Sequence, residues 1–152
     1  MELLQAVEQW DLVRQLKTSF VAYPVVNAVH IVAIGALLTS VALLDLRILG
    51  AFGSLPERPF VGLLRRLALL AFGLAVLSGL LLFSVRASHY AVMPVFLGKM
   101  GLIVLAGANF GLFVAVDGGA QHRWPSLRRL LAVTSVVLWC AVLLCGRFIG
   151  FL

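Results

Sequence analysis

Charged residues are scarce in this chain. Asp, Glu, Lys and Arg make up 12% of its 152 residues, about half the share typical of a soluble domain, too few to cover a water-exposed globule. The signatures of soluble catalysts are missing as well. There is no GxSxG, no phosphate-binding loop, no HExxH and no CxxC, so hydrolase, kinase and zinc-protease chemistry drop out. Cysteine is limited to Cys140 and Cys145, both in the last apolar run. A disulfide within one helix is geometrically implausible, and both read as small apolar residues. The N-terminal segment lacks the unbroken apolar core of a cleavable signal, because Glu2, Glu8 and Asp11 interrupt it. The first span is therefore expected to be retained.

What the chain has instead is hydrocarbon. Hydrophobic residues account for 62%, and the mean hydropathy is +1.10. Twelve Lys and Arg against six acids give a net charge of +6. In a soluble protein that balance would suggest nucleic acid. Here the basic residues cluster at the ends of apolar runs, where they meet lipid headgroups or set topology, so nucleic-acid binding is not expected and the lipid bilayer is the first partner.

The apolar pattern predicts an all-α integral membrane four-helix bundle, preceded by an interfacial amphipathic helix, with residues 1–152 forming one transmembrane domain. Over residues 2–18, Leu3, Val7, Trp10, Val13 and Leu16 follow helical spacing, with Glu8, Asp11, Arg14 and Lys17 off that stripe. A tryptophan there suits the membrane interface. Spans are expected over about 24–49, 63–85, 95–116 and 127–151, each long enough to cross a bilayer. They are separated by turns at 50–59, 86–94 and 117–125. Ser78–Gly79 and the Gly107/Gly111 pair are small residues that let helices approach closely.

Loop charges set the expected orientation. Arg47, Arg58, Arg65, Arg66, Arg123, Arg128 and Arg129 share one side, against Arg14, Lys17, Arg86, Lys99 and Arg147 on the other. The first, more basic side is assigned to the cytoplasm of a bacterial inner membrane, which places both termini outside.

At about 100° per residue, Tyr23, Asn27, His30 and Asp45 fall within a sector of roughly 60°. That polar face should look into the bundle, because lipid penalises it. His30 and Asp45 are too far apart along the helix to share a site. Toward the outer side, His30 has Lys99, Arg147, Arg86 and His89 as candidate company. An imidazole flanked by cations suits a planar dianion such as haem b, with His30 on the iron and Lys99, Arg147 or Arg86 on the propionates. Asn27 would accompany His30. The bland alternative is a structural histidine bonded to Asn27 or a neighbouring helix, with the cations snorkelling. His30, His89 and Met93, with Met100, could instead bind copper, since thioether plus imidazole favours Cu(I). On the inner side, Asp45 is expected to meet Arg65 or Arg66 in an interhelical clamp, the alternative being a proton-relay carboxylate. Asn109 should make an interhelical hydrogen bond, and Trp139 should pack.

The run from Tyr23 to Gly50 resembles an uncharacterised family of bacterial four-helix membrane proteins, a domain of unknown function. Tyr23, Pro24, His30, Asp45, Leu46, Arg47 and Gly50 carry the match. Further matches are Ser78–Leu81, Tyr90–Phe96, Lys99, Met100, Asn109, Gly146 and Arg147. More distantly the layout is similar to the HemJ-type protoporphyrinogen oxidases, at His30 and Lys99, and to copper-resistance D type membrane proteins. The chain has Asn109 where the oxidases tend to carry an aromatic–His pair, and fewer His and Met than a copper carrier. The resemblance thus implies haem or metal binding rather than either specific activity. Electron transfer or porphyrin redox chemistry is the implied role. A redox partner, a larger membrane complex that the chain serves as an accessory subunit, or a second copy of the chain are the candidate protein partners.

Overall fold

The computed structural model describes residues 2–117 and 125–151. Its elements are α1 (Glu2–Glu8), α2 (Asp11–Thr18), α3 (Ala22–Leu49), α4 (Glu57–Ser84), α5 (Ala87–Tyr90), α6 (Pro94–Asp117) and α7 (Pro125–Ile149). No strand occurs among the described residues. The turn expected over 117–125 falls largely on residues 118–124, Arg123 among them, which lie outside the described residues.

Four helices, α3, α4, α6 and α7, are long and apolar enough to cross a membrane. Between 17% and 28% of the most apolar stretch of each is buried inside the protein. The remaining side chains form an apolar exterior that water would not tolerate and lipid would. The chain is a multi-pass membrane protein built as a four-helix bundle.

Local chemistry sets the helix ends. The Ser19 hydroxyl accepts the N–H groups of Val21 and Ala22 at 3.3 and 3.0 Å, satisfying donors that the start of α3 leaves free. α3 stops at Gly50, whose φ of 111° is left-handed, and the Ala51 N–H closes back on the Leu46 carbonyl at 2.9 Å. That closure satisfies a carbonyl the helix end would otherwise orphan. α4 begins at Glu57, ahead of the expected start at Leu63, because Pro59 falls in its first turn, where a missing N–H costs little. The expected single N-terminal helix is two. Trp10, with ψ 138°, breaks it, so that α1 packs on α5 and α2 on α3. Val13 is buried by this docking, whereas Leu3 and Trp10 remain exposed. Glu8 fixes α1 in place by accepting the Ser88 N–H at 2.7 Å, and that backbone donor holds its carboxyl below the usual glutamate value.

The bundle is two hairpins, α3–α4 and α6–α7, joined chiefly where α3 packs on α7. Leu44, Ile48, Val61, Leu64, Phe113, Leu131 and Ala132 bring all four spans into one apolar cluster. A smaller cluster of Leu37, Ala68 and Ala71 has Phe72 and Trp139 packed against it, the two rings edge to face at 6.5 Å. The amide of Asn109 donates to the Leu131 carbonyl at 3.0 Å, tying α6 to α7. A Cβ at Gly107 or Gly111 would meet nothing within 4 Å, so this fold makes no close helix approach there.

An ionic clamp closes the end of the bundle nearest that cluster. Nη2 of the buried Arg128 lies 2.8 Å from both Glu57 Oε1 and Asp117 Oδ1. Arg47 joins through Glu57 at 3.9 Å and donates to the Leu55 carbonyl at 2.9 Å. Residues from all four spans therefore meet in one network. The expected pairing of Asp45 with Arg65 or Arg66 does not form. Asp45 points inward, Arg66 is exposed, and Arg128 and Arg47 take the clamp role. Replacing Arg128 by Leu would remove this guanidinium from Asp117 and leave Glu57 with the more distant Arg47. Because Glu57 and Asp117 are 32% and 23% exposed, water recovers part of the loss. The expected cost is about 2–3 kcal/mol, measured as a shift in the unfolding midpoint of the detergent-purified protein.

Candidate functional site

At the opposite end His30 sits between α3 and α4, half-buried. Its Nδ1 is 2.9 Å from Ser78 Oγ. The Ser78 hydroxyl has a single proton, which it donates to the Leu74 carbonyl at 2.6 Å. Its oxygen can therefore only accept from the imidazole. The Ala75 carbonyl lies alongside as a second acceptor for the ring. This pairing favours the tautomer with the proton on Nδ1 and the lone pair on Nε2.

Gly79 makes this seat possible. A Cβ built there would fall 3.0 Å from His30 Cε1, so the ring lies directly on the α4 backbone. The neighbouring pair Ser78–Gly79 does two jobs, one orienting the imidazole and the other making room for it.

Lys99 on α6 is the cation that reaches His30, close enough for its charge to act on the ring. Its Nζ would stand 3.5 Å from a Cβ at Gly146, and Cys145 is its other electrostatic neighbour. Among the described residues no carboxylate pairs with it. An ammonium of this kind, half-buried and without a counter-ion, has unspent capacity for an anion. All four spans contribute: His30 from α3, Ser78 and Gly79 from α4, Lys99 from α6, and Cys145 and Gly146 from α7.

Aromatic rings lie one helical turn away. Phe83 is four residues beyond Gly79, and Phe96 is three before Lys99, so each shares a face with its partner. Phe83 and Phe96 stack at 5.4 Å, and Tyr90 of α5 stacks on Phe96 at 5.7 Å. The stack joins α4, α5 and α6 where the connection turns.

The other expected residues are placed differently. Asn27 and Tyr23 are exposed, so the polar face of the first span turns inward only from His30 onward; the partner of His30 is Ser78 rather than Asn27. Arg147 lies over the Phe151 ring at 4.4 Å, and Arg86 is exposed at the start of α5. The His89 ring rests against Tyr90 at 5.6 Å, Met93 is buried and Met100 is largely exposed. Among the described residues no group of three or more His, Cys, Asp or Glu side chains converges. Ser78–Gly79 was readable only as a packing pair, since no sequence signal links it to a histidine on another helix. No family model matches the chain, and neither a curated protein nor a solved structure is similar to it.

The seat of His30 has a direct test. Gly79→Ala should cost about 1–3 kcal/mol of stability, because the imidazole must shift off α4. Gly73→Ala, where a Cβ meets nothing within 4 Å, should be neutral or stabilising. Paired unfolding titrations in detergent check both, and equal effects would remove the close approach.

Proposed function

We propose that this chain binds haem b, or a related tetrapyrrole, at the His30 end of the bundle and serves electron transfer or porphyrin redox chemistry. The observation that carries the reading is the 2.9 Å contact between His30 Nδ1 and Ser78 Oγ. An Nδ1–H given to Ser78 leaves Nε2 as a ligand atom oriented by a second group, the arrangement expected of an imidazole that binds metal. Lys99 supplies the cation for a carboxylate, and the Phe83, Tyr90 and Phe96 rings supply apolar surface nearby. These residues fit the group. Haem b would supply one-electron chemistry when bound. The protein's own part is to orient the imidazole and neutralise an anionic edge through Lys99.

The copper reading through His30, His89 and Met93, and that of an accessory subunit, have no comparable observation behind them. For location we propose the bacterial inner membrane. The Arg-rich clamp end would face the cytoplasm and the His30 end, with both termini, the outer side. A redox partner would then meet the outer surface near α1 and α5.

The test is a reduced-minus-oxidised optical spectrum of protein purified after expression with ample haem. A b-type spectrum is expected for the wild type, lost in His30→Ala and formed with about tenfold weaker haem affinity in Lys99→Gln. Flat spectra throughout would contradict the reading.

A further inference from the structure

The haem reading leaves the polar interior nearer the clamp unexplained. Asp45 is 3% exposed, one turn from the C-terminal end of α3, and its Oδ2 has no hydrogen-bond partner among the described residues. The hydroxyl facing its carboxyl is that of Ser135. Beside it lies a cavity of about 130 Å³, lined also by Phe72, Asn109, Phe110 and Trp139. Asn109 gives one of its two amide N–H groups to the Leu131 carbonyl, and its side-chain oxygen is an acceptor. The Asp45 carboxylate and the Asn109 oxygen give the cavity its acceptors, and the rest of its wall is aromatic and aliphatic.

That combination selects the ligand. A buried carboxylate without a partner is costly unless it is neutralised. A metal ion such as Ca²⁺ or Mg²⁺ calls for about six oxygen ligands, and three side chains on an aromatic wall do not provide them. An organic ammonium needs one carboxylate, one or two further acceptors and ring faces for its charge. The volume is close to that of an apolar cavity known to hold a benzene-sized molecule, about 150 Å³. We propose that this cavity binds a small lipophilic primary ammonium, a benzene-sized body bearing one cationic head. Asp45 is its counter-charge, Ser135 and Asn109 are acceptors for its N–H groups, and Trp139, Phe72 and Phe110 are its walls. The site shares no residue with the His30 site, so neither stands or falls with the other.

The probe is 4-fluorobenzylammonium, titrated into the detergent-purified protein and followed by fluorine NMR against empty micelles. Saturable binding to the wild type is expected, at least about tenfold weaker in the near-isosteric Asp45→Asn and unchanged in His30→Ala. The neutral analogue 4-fluorobenzyl alcohol tests the charge on unaltered protein, whether or not the variant folds, and should bind at least about tenfold more weakly. No saturable signal beyond micelle partitioning, equal binding of the alcohol, or full retention in a folded Asp45→Asn would each overturn the proposal.

Discussion

Arg128 holds Glu57 from the start of α4 and Asp117 from the end of α6 with one guanidinium nitrogen, 2.8 Å from each. In lipid, helices gain little from apolar contact with one another, because the surrounding tails are equally apolar. Polar contacts that find their partners inside the protein therefore carry much of the specificity. This one fixes which helix ends lie together, and the apolar cluster from Leu44 to Ala132 packs beneath it. With that end closed, the two hairpins need join only along α3 and α7, and the far end can be shaped for another purpose.

At the far end the polar groups are not all satisfied. His30 has one ring nitrogen bonded to Ser78, and among the described residues Lys99 has no acid beside it. Packing alone would favour apolar residues at both positions. Ser78 and Gly79 are instead adjusted to a ring from another helix, one through its hydroxyl and the other through its missing side chain. α1 is held on α5 by Glu8 and the Ser88 N–H. The Asp45 cavity and the His30 seat are thus distinct polar interiors, held at different levels of one bundle.

The architecture was legible in the sequence because it depends on a long-range property of composition. Four apolar runs of spanning length allow few other folds, and the structure is all-α with four such helices. Local chemistry was less legible. Glu57 and Pro59 look like turn residues, yet a first helical turn accepts both, so α4 starts early. The clamp was expected from Asp45 and is made by Arg128 and Arg47, because facing across helices depends on rotation and crossing that sequence spacing does not determine. For the same reason His30 and Lys99 could be named as candidates by residue type alone, whereas Asn27 and Arg147, equally plausible by type, point elsewhere. Ser78 was the partner least visible in sequence: a serine in an apolar run is ordinary until a histidine from the next helix lies over it.

The central claim is that Ser78 holds the proton of His30 on Nδ1 and leaves Nε2 free, since every role proposed for that end depends on it. Nitrogen NMR of histidine-labelled protein in lipid nanodiscs reads this directly, with the His30 signals assigned by their loss in His30→Gln. The account predicts a protonated Nδ1 and an unprotonated Nε2 in the ligand-free protein, with the preference weakened in Ser78→Ala. A ring protonated on Nε2, or a spectrum indifferent to Ser78, would contradict it.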